Sequence, residues 1–358
     1  MAAVFKRFLL VPLVGVLLAS CWRSADIGAG AADGGDAETD TLQGISDPDT
    51  GGPSVYEWSQ ADAPTAEDLS GVYGFSSSDV FAVGENSTIL RFDDASWSGM
   101  AYPADAPGSD LGGVWGASPE DVFAVGSNGA IVHYDGAAWA PMDSGTDVNL
   151  HDVCGRGPED VYAVGDAGLL LAYDGATWAP IATGTDRNLF AAWCAPGTPV
   201  YASGHASDAF SSSVVLRYDG SVSPVAHPTA DFLYALGGVA PDVAFIGTAR
   251  QESGEPLRLE ISRSAGGGPF EVVAAGEDLA IIDLWAVGEG ELWGVGFVEE
   301  TPDGVILHLA DLSLEEPVVF PSVFVLRGVW RDPGDEQGTV FAVGDDGTIM
   351  HGVPSQGY

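Results

Sequence analysis

Lysine is almost missing from this chain: Lys6 is the only one in 358 residues, and it stands with 11 arginines against 52 acidic side chains. The net charge of −40 excludes nucleic acid and anionic membrane surfaces as expected partners, because both would be repelled. Cysteine is scarce as well. Cys21, Cys154 and Cys194 make neither a disulfide-dense scaffold nor a Cys-x-x-Cys motif. The six histidines have no paired spacing, so no metal set is expected. No phosphate loop and no Gly-x-Ser-x-Gly nucleophile turn occurs, and no cofactor is expected. Long helices are disfavoured by 49 glycines and 22 prolines. Hydrophobic residues nevertheless make up 46%, enough for a sizeable core, so wholesale disorder is excluded.

The apolar run Phe8–Ala19 follows Lys6 and Arg7 and is too short to span a bilayer as a helix. Basic start, short apolar run and small residues predict an export signal over residues 1–20. The run ends Leu18-Ala19-Ser20-Cys21, which resembles the lipobox of bacterial lipoproteins. That resemblance implies cleavage before Cys21, acylation of Cys21 and a lipid anchor in the bacterial cell envelope. The outer membrane or cell surface is the expected address, facing periplasm or exterior; ordinary secretion is the alternative. Residues 21–53 carry Gly34-Gly35-Asp36 and Asp47-Pro48-Asp49-Thr50-Gly51-Gly52 and almost no large apolar residue. They read as an acidic disordered tether that cannot offset its ordering entropy.

Residues 54–358 are one unit repeated seven times. In the second copy Asp121-Val122-Phe123-Ala124-Val125-Gly126 precedes Ile131-Val132-His133-Tyr134-Asp135-Gly136-Ala137-Ala138-Trp139. A glycine closes the first stretch of each copy: Gly84, Gly126, Gly165, Gly204, Gly247, Gly296 and Gly344. One column holds Tyr73, Trp115, Cys154, Trp193, Leu236, Trp285 and Trp330; a second holds Phe81, Phe123, Tyr162, Tyr201, Ala244, Trp293 and Phe341. Each of the first six copies contains four strand-like runs, A to D, and Asp135-Gly136 marks the C–D hairpin. The pattern predicts an all-β, seven-bladed β-propeller of four-stranded antiparallel blades. The last copy lacks a D strand, and Ser54–Ser59 is the unassigned run that completes it, closing the ring.

The repeats resemble those of sialidase-type (Asp-box) and photosystem II stability-factor-like propellers, and envelope propellers with YVTN or kelch units. The likeness lies in repeat length, turn and Trp: Tyr134-Asp135-Gly136-Ala137-Ala138-Trp139 lacks the Asp-box serine. A sialidase-like glycan-active enzyme would need converging arginines near a Tyr–Glu pair, from Arg156, Arg187, Arg250 and Arg331 in loops. Arg91, Arg217, His133, His308 and His351 share one C-strand position on separate blades and read as repeat features. Cys154 and Cys194 meet across blades 3 and 4 if the first column faces the following blade, and point apart otherwise.

Three insertions single out one rim. The B–C connections of blades 4, 5 and 6 gain His205–Ser212, Thr248–Glu255 and Phe297–Asp303. Loops on a rigid scaffold are where binding usually resides, although tolerant turns also drift. Phe210, Arg250, Glu252, Phe297, Glu299 and Glu300 are the candidate ligand-binding residues, flanked by Thr146–Asn149 and Thr185–Asn188. The expected function is a monomeric, non-catalytic module that binds or assembles an envelope protein or glycan. A glycan-active enzyme and a purely structural surface protein are the alternatives.

Overall fold

A computed structural model describes residues 42–43 and 56–355, apart from 105, 107, 207–212, 229–231, 240–241, 251–255, 300, 302, 322, 324 and 336–337. The expected signal peptide, Cys21 and all of the expected tether but residues 42–43 lie outside the described residues, as do Phe210, Glu252 and Glu300.

Seven antiparallel sheets follow one another, each in the order A–B–C–D. The A strands are Leu69–Ser76, Leu111–Ser118, Leu150–Gly157, Asn188–Trp193, Phe232–Val239, Leu279–Ala286 and Leu326–Arg331. Each contacts the A strand of the next blade, and the seventh contacts the first, so the ring is a closed seven-bladed propeller. Closure uses the expected strand: Tyr56–Gln60 pairs with Ile349–Pro354 as strand D of blade 7. Trp58 buries its ring there against Trp293 and Phe320. Leu42–Gln43, read above as tether, pairs with the outer edge of that strand.

The recurring glycines have a steric cause. In six blades a Cβ added to the glycine would lie 1.9–2.2 Å from the carbonyl oxygen at the start of the paired A strand. Blade 5 departs from the expected alignment. Leu233 pairs with Thr248 as Leu69 pairs with Gly84, so Thr248, not Gly247, holds the anchoring register. Its columns are therefore Gly237 and Phe245, each one residue beyond Leu236 and Ala244. The shift moves both columns together, leaving their spacing unchanged and hiding it from the sequence.

The first column faces the following blade. The Trp115, Trp193 and Trp330 rings occupy the space where Gly155, Gly238 and Gly74 lack a side chain. Between blades 3 and 4 the same place is taken by the Cys154–Cys194 disulfide, with Cα atoms 5.7 Å apart. This is the orientation under which the thiols meet.

Candidate functional site

On the B–C face, blades 7, 1, 2 and 3 close their B–C connection with a three-residue turn: Asp345–Gly347, Glu85–Ser87, Ser127–Gly129 and Asp166–Gly168. The middle residue of each is left-handed, with φ of 52° to 56°. Its N–H is capped from the next blade by the residue just ahead of the A strand's leucine. Asp68 accepts from Asp346, Asp110 from Asn86, Asn149 from Asn128 and Asn188 from Ala167, at 2.8–3.0 Å. The stitch requires Asp or Asn at that place. In blades 5, 6 and 7 the place holds Phe232, Ala280 and Val325 instead, each following a blade with a long B–C connection. Insertion and apolar replacement coincide. Ala249, Leu257 and Ala280 are buried there, with Phe232 and Phe297 packed against them.

Three of the expected rim residues are described. Phe297 belongs to that apolar cluster. A Glu299 carboxylate oxygen accepts the Leu257 N–H at 2.6 Å, so this side chain shapes the rim. Arg250 is exposed at the end of its B strand, paired in register with Arg258. Blade 5's insertion is less of a loop than expected, because Val243–Arg250 and Arg258–Ala265 extend the hairpin along their whole length.

The residues at the channel mouth were not singled out from the sequence. Every A strand skips register one residue after the leucine or isoleucine that pairs with the anchoring position. The skipped residues are Ser70, Gly112, His151, Phe190, Tyr234, Ile282 and Arg327, all partly exposed. A bulge re-aims such a residue out of the ladder. Blades 3, 4 and 5 thereby form an aromatic cluster: Phe190 lies 4.9 Å from His151, 4.7 Å from His205 and 5.2 Å from Tyr234, ring centre to ring centre. Phe232 stacks on Tyr234 at 6.2 Å. Burial holds His205 below its usual pKa, and its Nε2 has no hydrogen-bond partner among the described residues. The signal for the ring was present, one residue past each such leucine or isoleucine, but recognising it needs the register.

The other half of the face is acidic. Glu67, Asp68, Glu85, Asp110, Asp345 and Asp346 sit in the turns of blades 7, 1 and 2. Arg327 pairs with Asp345 at 2.5 Å and with Asp68 at 3.7 Å. The Glu85 carboxyl is pushed up by burial, then by Asp68 and Asp110. Deeper in the ring, Asp152 and Asp283 bridge neighbouring A strands, accepting the N–H of Ala192 at 2.8 Å and of Val329 at 2.9 Å. Both residues keep some exposed surface while their carboxyl groups are enclosed; burial raises Asp152 to about 7 and Asp283 to about 6.

The four loop arginines do not come together. Arg187 and Arg250 lie on the B–C face, whereas Arg156 and Arg331 end A strands on the opposite face. There Arg156, Asp160, Thr198, Arg217, Asp219 and Asp242 line a cleft of about 570 Å³. Its charges compensate one another: Arg156 holds Asp160 at 2.8 Å, and Arg217 holds both Asp219 and Asp242. The C-strand arginines and histidines stand on separate blades as expected, each opposite its second-column residue, with Arg263 added by the corrected register of blade 5. The Asp-box-like turn is structural: Asp135 Oδ1 accepts the N–H groups of Ala137 and Ala138 at 3.0 and 2.9 Å.

No protein-family profile matches the chain, and no curated protein does. Solved structures do. A YCF48 structure bound to a D1 peptide is 14% identical, with a TM-score of 0.62, over 87% of this chain and 98% of its own. The WD40 β-propeller domain of Doa1 is likewise 14% identical, with a TM-score of 0.62, over 84% and 97%. The extracellular domain of BT4673 from B. thetaiotaomicron is 13% identical, with a TM-score of 0.59, over 81% of this chain and 39% of its own. The shared feature is the propeller fold. At such identities it carries no activity with it.

Proposed function

We propose that this chain is a lipid-anchored protein of the bacterial cell envelope whose propeller holds a protein segment on the B–C face, without catalysing a reaction. Cys21 carries the anchor, and the tether spaces the propeller from the membrane. The observation that carries the reading is the aromatic cluster of Phe190, Tyr234 and Phe232, partly exposed beside the long connections. Partly exposed aromatic side chains on a rigid ring are typical anchors for a partner. The fold supports it: a YCF48 propeller of this shape holds a D1 peptide. The compensated cleft on the opposite face offers no uncommitted arginine set to an anionic sugar, which disfavours the sialidase-like alternative.

Capture from envelope extract tests the binding claim. The intact chain is compared with one whose blade 4–6 connections are cut to the short turn. A partner retained by the first and lost by the second supports the reading; equal recovery refutes the B–C face as the site. Palmitate labelling abolished by Cys21→Ser is the expected result for the anchor, and unchanged labelling contradicts it.

A further inference from the structure

We infer that the segment held on the B–C face is an extended peptide that pairs a cationic residue, arginine or lysine, with an aromatic or aliphatic one. The inference rests on the protein-binding reading above and adds the chemistry of the partner. Two arrangements on one face carry it. Blades 3, 4 and 5 supply rings: His151, Phe190, His205, Phe232 and Tyr234 are linked by contacts of 4.7–6.2 Å. Blades 7, 1 and 2 supply six carboxylates, and Arg327 is the cation paired with two of them among the described residues.

The acidic half is under-compensated. Burial opposes ionisation of Glu85 first, and Asp68 and Asp110 add to it; at Asp345 burial again leads, Arg327 offsets it and Asp68 adds to it. A cation arriving over these turns relieves that repulsion, whereas a carboxylate, phosphate or nucleic acid adds to it. The rings take an aliphatic or aromatic side chain by burial, and their faces also accept a guanidinium. A wholly apolar segment would leave the carboxylates desolvated without a partner, which costs free energy. A neutral oligosaccharide has no charge to offer them.

The test uses the full chain in detergent and five fluorescein-labelled probes. One decapeptide carries two arginines and a Trp-Leu pair separated by a Gly-Ser spacer. Three relatives replace the arginines by glutamine, the arginines by glutamate, or the apolar pair by serine. The fifth probe is an oligomer of N-acetylglucosamine. Anisotropy is read at low and at physiological salt. The parent peptide is expected to bind and to weaken with salt, and each peptide replacement to cost about tenfold or more. The combined variant Glu67→Gln, Glu85→Gln, Asp346→Asn should reduce affinity and salt dependence. It spares the capping carboxylates of Asp68 and Asp110, so the fold is kept; an unchanged melting curve verifies this. Phe190→Ala should weaken the parent peptide at both salt concentrations.

If the glutamine peptide binds as tightly as the parent at both salts, the cationic assignment falls while the face remains a binding site. If no peptide binds, the protein-binding reading of the face falls with it. Binding of the oligosaccharide in competition with the parent peptide overturns the inference as well.

Discussion

The blade 3–4 interface allows a quantitative exchange. The Cys154–Cys194 bond closes a separation of 40 residues. The chain-entropy account assigns such a loop about 4 kcal/mol of stabilisation. Replacing both residues by alanine should therefore cost about 4 kcal/mol, plus a packing loss because both side chains are buried. A second double variant, Cys154→Trp with Cys194→Gly, copies the contact that Trp115 makes with Gly155 and Trp193 with Gly238. It forfeits the cross-link but restores a buried ring, worth about 2–3 kcal/mol. The order of stability should be native, then Trp/Gly, then Ala/Ala. Urea unfolding followed by tryptophan fluorescence measures it, with thiol titration of the denatured native chain to count free cysteines. In the Trp/Gly variant dithiothreitol should leave the midpoint unmoved, while it lowers the native one. A Trp/Gly variant no more stable than Ala/Ala would refute the claim that ring-on-glycine and disulfide are equivalent solutions. Two free thiols beyond that of an unacylated Cys21 would refute the bond.

Three further outcomes are expected. Asp152 holds its proton to about pH 7 in the folded state against a usual value of 3.8. Between those values the folded state binds more protons than the unfolded one, so this contribution is full at low pH and is lost as pH rises towards 7. Relative to native, Asp152→Asn should gain stability across that window, by at most about 4 kcal/mol; a difference that is flat in pH, or opposite in slope, contradicts the assignment. Trp58→Ala should cost about 3–5 kcal/mol by emptying the closing strand's buried contact, and native-like urea stability would argue against closure through that strand. Shortening the blade 4 connection to the three-residue turn should be better tolerated with Phe232→Asn than without it, since Asn restores the missing cap; equal melting points would remove the link between insertion and replacement.

The ring, its closure and the disulfide were legible because each rests on a short-range pattern. Asp-Val-Phe-Ala-Val-Gly repeats the steric need for glycine, and strand parity placed Cys154 and Cys194 in one interface or in two. Blade 5 resisted, since moving Leu236 and Ala244 to Gly237 and Phe245 preserves the spacing between the two columns. The rim was singled out from loop length, whereas the aromatic cluster beside it was not. Phe190 and Tyr234 owe their position to a bulge, which strand alternation does not reveal. Phe232 gains meaning only beside Asp68, Asp110 and Asn149, once the register shows that all four hold one place. Glu299, expected to meet a ligand, is occupied with the Leu257 N–H.

Photo-cross-linking in intact cells tests the central claim most directly. Benzoylphenylalanine replaces Phe232 on the B–C face in one strain and Asp219, beside the opposite cleft, in another. The account predicts a cross-link from position 232 to a protein segment containing arginine or lysine, and none from position 219. A cross-link formed only from position 219, or none from either, would contradict it.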